Sequence, residues 1–403
     1  MKKLRQSGGR KVACVFAVLI SIVGLVAVAV VYYFPALKVD KPMGEMTECV
    51  EAVVQEPVEP DTVVEESEQE FTEIVTETEE SPERIEITIS AVGDVTFGRH
   101  QRMTYENSFD EYYDNFGAEY FFQNVEGVFE ADDFTIANLE GPLTDADTMR
   151  ESKEWIHTGR PKYAQILTEA SIEAVSLGNN HIMDYNSTGV SDTEKNLDKV
   201  GVEYAISGAW GDKYGMYETK KGIKIGFASV NEYYEGSAVY PFLEDGLTQL
   251  REAGADLVFA CIHWGEDKVY EIEENQYEMG PWCIDRGYDL VLGCHSHLLQ
   301  GIECYNGKYI VYGMGNFCYG GNRNPSDKRT MIFQQTFTFE DGELLESEDG
   351  VRIIPCRLSS VTDKNDYCPV ILDKEEAADV MLHLNQYSEE FGIVFDEKGE
   401  RRW

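Results

Sequence analysis

The spacing of apolar and polar residues changes several times along this chain. Val12–Phe34 (VACVFAVLISIVGLVAVAVVYYF) is an unbroken apolar run, long enough to cross a bilayer, which takes about 20 residues. Residues 42–83 follow, rich in Glu, Thr and Pro and nearly free of large apolar residues. From Ile85 onward, short β-branched runs alternate with longer amphipathic ones. IEITISAV, DFTIANL, IEAVSLG, IKIGFASV, DLVFACIHW, DLVLGC and YIVYGMG read as strands. KYAQILTEA, STGVSDTEKNLDKV, LTQLREAG and ENQYEMGPWCIDRG read as helices between them. The alternation predicts an α/β layered domain with a largely parallel sheet. MIFQQTFTFEDGEL and VRIIPCRLSSV predict an antiparallel end, with a hairpin around Asp341–Gly342.

Charge sharpens this division. Of a net charge of −40, residues 1–41 contribute +6 and residues 42–83 contribute −15, which leaves −31 from residue 84 on. The basic start, MKKLRQSGGRK, and the interfacial Tyr32, Tyr33 and Phe34 place the N-terminus in the cytoplasm and the rest outside. The chain therefore divides into a basic tail (1–11), a transmembrane signal-anchor (12–34), an acidic disordered stalk (35–84) and a folded extracellular domain (85–403). A cleaved secretory signal is the alternative for the apolar run. So acidic a domain lacks the cations that displace counterions from nucleic acid, so nucleic acid is not expected as a partner. The nine cysteines form no CxxC pair, and Cys261 and Cys294 fall in apolar strand patterns, as small core residues do.

Polar residues gather where the predicted strands end. SAVGDVTFGRH supplies Asp94, ANLEGPLT supplies Asn138 and Glu140, and SLGNNHIMDY supplies Asn179, Asn180, His181 and Asp184. CIHWGED supplies His263 and Glu266, and GCHSH supplies His295 and His297. Parallel strands bring such ends together. Any one cluster has a plain structural reading as a cap, turn or strand-end residue, but four of the chain's seven histidines fall in this set. Mixed carboxylate, amide and imidazole donors without thiolates suit two divalent ions such as Mn, Zn or Fe.

The ordered motifs GDVTFGR, NLEGPLT, GNNHIMD, HWGEDKVYE, GCHSHLLQG and YGMGNF resemble the CapA family of capsule (poly-γ-glutamate) synthesis proteins, within the calcineurin-like metallophosphatase superfamily. The resemblance spans about Ile85 to Thr336 and implies a two-sheet β-sandwich flanked by helices, four layers in αββα order, with a dinuclear site at its rim. It implies Asp94, Glu140, Asn180, His263, His295 and His297 as metal ligands, with His181 as the catalytic imidazole. Arg99, Asn138, Trp264, Glu266 and Asn316 share these motifs and are candidates to line a substrate pocket; a structural role in strand-end loops fits them equally. One departure stands out: the superfamily's first motif is Asp-x-His, and here it is Asp94-Val95-Thr96.

Two functions follow as expectations. One is a membrane-anchored component of a poly-γ-glutamate synthesis or export complex that handles a polyanionic polymer. The other is a metal-dependent phosphoesterase or other hydrolase acting on an unrelated cell-envelope substrate.

Overall fold

The structure, a computed structural model, describes residues 82–151, 153–207, 211–345 and 350–402. The predicted tail, membrane segment and nearly all of the stalk lie outside the described residues. Among the described residues, no helix is long and apolar enough to cross a membrane.

The domain is a mixed α/β structure built on two large sheets. In the first, β1 (Arg84–Thr96), β2 (Phe134–Leu139) and β3 (Ala174–Ser176) run parallel, continued by Glu203–Ala205. In the second, β4 (Lys224–Asn231), β5 (Leu257–His263), β6 (Leu290–Cys294) and Lys308–Val311 run parallel. β7 (Asn316–Tyr319) pairs with β1 in parallel, and β8 (Arg329–Glu340) pairs with its other part antiparallel. The expected hairpin is present: Phe339 pairs with Leu344, and Asp341 and Gly342 both take positive φ.

Strand alternation sorts the side chains. Ile87, Ile89 and Ala91 of β1, Phe134 and Ile136 of β2, Phe227 of β4, Phe259 and Cys261 of β5, and Leu290 and Leu292 of β6 share one apolar cluster drawn from both sheets. The opposite faces pack elsewhere. Val92, Ala137, Leu139 and Val175 join Phe109, Leu167 and Leu197. Val230, Val258, Ala260, Ile262 and Trp264 join Leu243, Met279 and Cys283 from the helices Val239–Glu252 and Glu274–Arg286. The central parallel strands are thus apolar on both faces, as expected for parallel strands covered on each side.

The sequence reading misplaces some boundaries. The helix expected over LTQLREAG begins eight residues earlier, at Val239. The last expected strand, YIVYGMG, stops at Val311, because Tyr312, Gly313 and Met314 turn to bond Gly301, Gln300 and Gly293. The helices Phe109–Phe116 and Lys374–Ser388 were not anticipated.

Candidate metal centre

Inner-face columns from both sheets end in polar side chains at the carboxyl ends of parallel strands. In β2 the inner column runs Phe134, Ile136, Asn138; in β5 it runs Phe259, Cys261, His263. β1 needs a correction to join them. Strict alternation would send Asp94 outward with Val92, but the register shifts between Val92 and Asp94. The extra residue reverses the phase, so Val95 packs outward and Asp94 lies opposite Asn138. Gly93 makes the bulge feasible: a Cβ there would lie 1.9 Å from the Gly315 carbonyl oxygen, which accepts the Asp94 amide at 2.9 Å.

At one pole of the site stand Asp94, Glu140 and His297, whose ligand atoms all lie within 4.8 Å of one another. His297 Nδ1 is 3.1 Å from Asp94 Oδ2, and its Nε2 is 3.8 Å from Glu140 Oε1. Asn316 Oδ1 sits 2.9 Å from the same Nδ1. Thr96, at the third position of the first motif, donates its hydroxyl to Glu140 Oε2 at 2.9 Å. Burial pushes the Glu140 carboxyl up, against the pull of His297. Burial works to lower His297, but the Glu140 and Asp94 carboxylates outweigh it and raise its pKa.

The other pole is built from imidazoles and amides. His295 Nδ1 lies 3.0 Å from His263 Nε2, and Asn138 Nδ2 lies 3.4 Å from His263 Nδ1 while donating to Asp94 Oδ1 at 2.7 Å. Asn180 faces the same cavity as His295 and His297. Burial, with neighbouring imidazoles, lowers His263 well below the usual value and takes His295 down to about 4, so both stand neutral at pH 7. His295 and His297 both adopt positive φ, +105° and +58°. For side chains with a Cβ that is strained backbone, of the kind that concentrates at functional sites.

Four of these residues carry buried polar atoms without a hydrogen bond: Glu140 Oε1, Asn180 Oδ1, His295 Nε2, and Asp94 Oδ2, whose neighbour is the His297 ring 3.1 Å away. A buried polar atom left unpaired costs roughly 1–3 kcal/mol, so four in one site mark groups arranged for something else. Oxygen and imidazole donors with unspent lone pairs fit divalent cations, and both poles supply them.

His181 stands beside the first pole, its Nε2 4.0 Å from Glu140 Oε1. Its Nδ1 is held 2.7 Å from Asp184 Oδ2 and 2.9 Å from Lys153 Nζ, and Lys153 also donates to Asp184 Oδ1 and to the Asn180 carbonyl. Burial, reinforced by Lys153, keeps the ring neutral. Lys153, Asn180, His181, His295, His297 and Asn316 line one cavity of about 450 Å³ that also meets His100, Trp155, His157, Tyr233, Tyr234 and Tyr319.

Three expected pocket residues lie elsewhere. Trp264 follows His263 in β5's alternation and therefore points to the opposite face, at 0% exposure, with its indole N–H donating to the Tyr312 carbonyl at 2.8 Å. Arg99 turns to Asp110, 2.6 Å away, and to the Met103 carbonyl. Glu266 is exposed beyond the cavity, whose wall includes the next residue, Asp267. Asn138 and Asn316 do lie in the cluster, bonded to Asp94 and His297. Lys153, His100, His157 and Tyr319 were missed. The histidines themselves were the available signal, since His383 alone of the seven bonds away from this region, to the Leu299 carbonyl.

Comparison with known proteins places this geometry in a family. The bacterial capsule synthesis protein PGA_cap family matches residues 88–320, more than half of the chain and the whole span from Asp94 to Asn316. The chain belongs to that family. The chain is 29% identical to the PGA biosynthesis protein CapA of Bacillus subtilis (strain 168) over 250 residues, 58% of this chain and 63% of that protein. It is 26% identical to the capsule biosynthesis protein CapA of Bacillus anthracis over 257 residues, 59% of this chain and 61% of that one. The chain thus spans less than two thirds of either relative, and the expected membership in the CapA family is established by the PGA_cap match.

Proposed function

We infer that this protein serves the synthesis or export of a capsule polymer, poly-γ-glutamate or a related polyanion, from the outer face of the cell membrane. The reading takes its polymer from the named roles of the CapA relatives, and its location from the apolar run at 12–34. It takes its chemistry from a centre for two divalent ions, set on a metallophosphatase-like αββα sandwich. One observation carries the chemistry: the unspent buried lone pairs of Asp94, Glu140, Asn180 and His295 at the ends of strands from both sheets.

Asp94, Glu140 and His297 would hold one ion, and Asn180, His263 and His295 would hold the other. Bound divalent ions lower the pKa of water and neutralise charge that builds on an oxyanion. The chain's own part is to exclude bulk water from the buried carboxylates, to aim them, and to present His181. With Asp184 and Lys153 fixing Nδ1, the His181 ring keeps Nε2 toward the reacting region, where it can exchange a proton with a leaving group. Lys153 offsets the negative charge of the Asp184 carboxylate behind it.

A second reading rests on Thr96. Where the superfamily pattern has an imidazole, this chain spends a hydroxyl on Glu140 Oε2, so the first ion has three side chains. A centre so reduced suits gripping polymer carboxylates through metal more than turnover. Metal analysis of the purified protein, with assays of an aryl phosphodiester and of polymer retention, separates the two. Turnover lost in both His181→Ala and Glu140→Ala supports hydrolysis. Bound metal and retained polymer without turnover supports the grip, and absence of bound metal refutes both.

A further inference from the structure

β4 ends on a side chain that the centre as described leaves out. Asn231 is the register partner of His263 in parallel strands, so both side chains leave the second sheet on the same inner face. The column behind it confirms the direction: Phe227 lies in the inter-sheet cluster, and Ser229 reaches across to Ser176 of the first sheet at 2.8 Å. Asn231 is wholly enclosed, at 0% exposure, and neither Oδ1 nor Nδ2 has a hydrogen-bond partner. Among the described residues it is the one side chain with two such atoms, and four of the single ones belong to the centre itself.

The local fold does not account for this amide. Asn231 occupies the N-cap of the short helix Glu232–Glu235 yet makes no side-chain cap bond, although an asparagine there ordinarily does. The helix it leads into carries Tyr233, whose ring centroid lies 4.4 Å from that of His295. His295 in turn meets His263, the register partner of Asn231. Asn231 is therefore linked to the imidazole pole from two sides, through the sheet and through the helix. An unspent amide oxygen matches a strong hydrogen-bond donor, and water held on a divalent cation is one, its O–H bonds polarised by the ion.

We propose that Asn231 is a positioning residue of the His263–His295 pole, hydrogen-bonding water that a divalent cation holds there. The proposal rests on the two-ion reading above. Partners of this kind shift metal affinity by about 10–100-fold. The test is calorimetric titration of the full chain with Mn²⁺ alone, beside thermal melting of the cation-free protein. Asn231→Leu keeps the volume and removes both polar atoms. It is expected to weaken the second Mn²⁺ equivalent by about 10–100-fold, while the cation-free protein melts no lower than wild type. Asn231→Asp, which keeps the shape and adds a charge, is expected to tighten that equivalent by about tenfold, a guard against Asn231→Leu failing to fold. Wild-type Mn²⁺ binding that both variants leave unchanged overturns this proposal alone. A wild-type chain that binds no Mn²⁺ overturns it together with the two-ion reading.

Discussion

The two poles of the centre solve the burial of polar groups in opposite ways. Asp94 and Glu140 are carboxylates at 0% and 1% exposure, and a proton on His297 is the charge that balances them. At the other pole His263 and His295 are neutral and satisfy each other, one ring nitrogen to another at 3.0 Å. The first pole is a charged trio that holds its shape by attraction. The second is an uncharged pair that leans on Asn138, with its Asn180 amide oxygen unspent. Cation binding should therefore mean replacement of a proton at the first pole and replacement of a hydrogen bond at the second.

The sharpest way to break that contrast is to delete the trio. Asp94→Ala removes the carboxylate nearest His297, and the first Mn²⁺ equivalent should weaken by roughly 100-fold or more, at or beyond the upper end for supporting residues. Calorimetry reads the loss directly. His295→Ala should instead weaken the other equivalent and leave the first in place. If the two variants lose the same equivalent, the poles are not separate sites.

Trp264→Ala is the control from the residue that follows His263. It empties a site filled by the side chain against Gly293 and Tyr312 on the outer layer, and should cost about 3–5 kcal/mol of stability. Denaturant unfolding measures that loss, while Mn²⁺ affinity in the folded protein should stay at the wild-type value. A parallel loss of affinity would show that the outer layer and the centre are coupled.

Protonation gives a middle-sized effect with a definite sign. His297 has a raised pKa in the cation-free fold, so at pH 7 it holds a proton that a bound cation must expel. His263 and His295 have none to lose. Titration at pH 7 in buffers of different ionisation enthalpy should show proton release with the first equivalent and none with the second. The same shift bears on stability. A raised histidine stabilises the fold fully below its unfolded value, near pH 6.5, and that contribution is lost as pH rises toward the folded value. Cation-free protein should therefore lose stability between pH 7 and pH 9, and saturating Mn²⁺ should remove the loss, as melting scans would record.

Much of this was legible from periodicity alone, because parallel strands buried on both faces leave continuous apolar runs that end abruptly in polar residues. DLVFACIHW contains both His263 and the reason Trp264 is not beside it: adjacent residues of a strand face opposite ways. What periodicity cannot show is a change of phase. Asp94 reaches the site through the bulge at Gly93, and a strict period of two would have sent it outward. Lys153 and His157 were illegible for another reason. They lie outside the long strands, in segments held by Asp184 through long-range bonds such as His157 N–H to Asp184 Oδ2 at 2.7 Å. Asn231 was passed over because IKIGFASV was read as ending at Val230, one residue short.

The smallest effect concerns Thr96, and it sharpens the comparison most finely. Its hydroxyl is fully buried and spends itself on Glu140 Oε2 at 2.9 Å. Thr96→Val keeps the shape and removes the donor. A hydrogen bond to a charged acceptor contributes about 1.5–3 kcal/mol, which for a domain of this size corresponds to a melting shift of a few degrees. In the cation-free protein the freed Oε2 becomes a further unpaired carboxylate oxygen at the first pole, so that loss should appear in full. With Mn²⁺ bound, the same oxygen is released to serve the ion, and the variant should recover part of the loss at the first equivalent. The second equivalent should not notice the change. A variant equally destabilised with and without Mn²⁺ would mean that Thr96 secures the fold and takes no part in how Glu140 meets the ion.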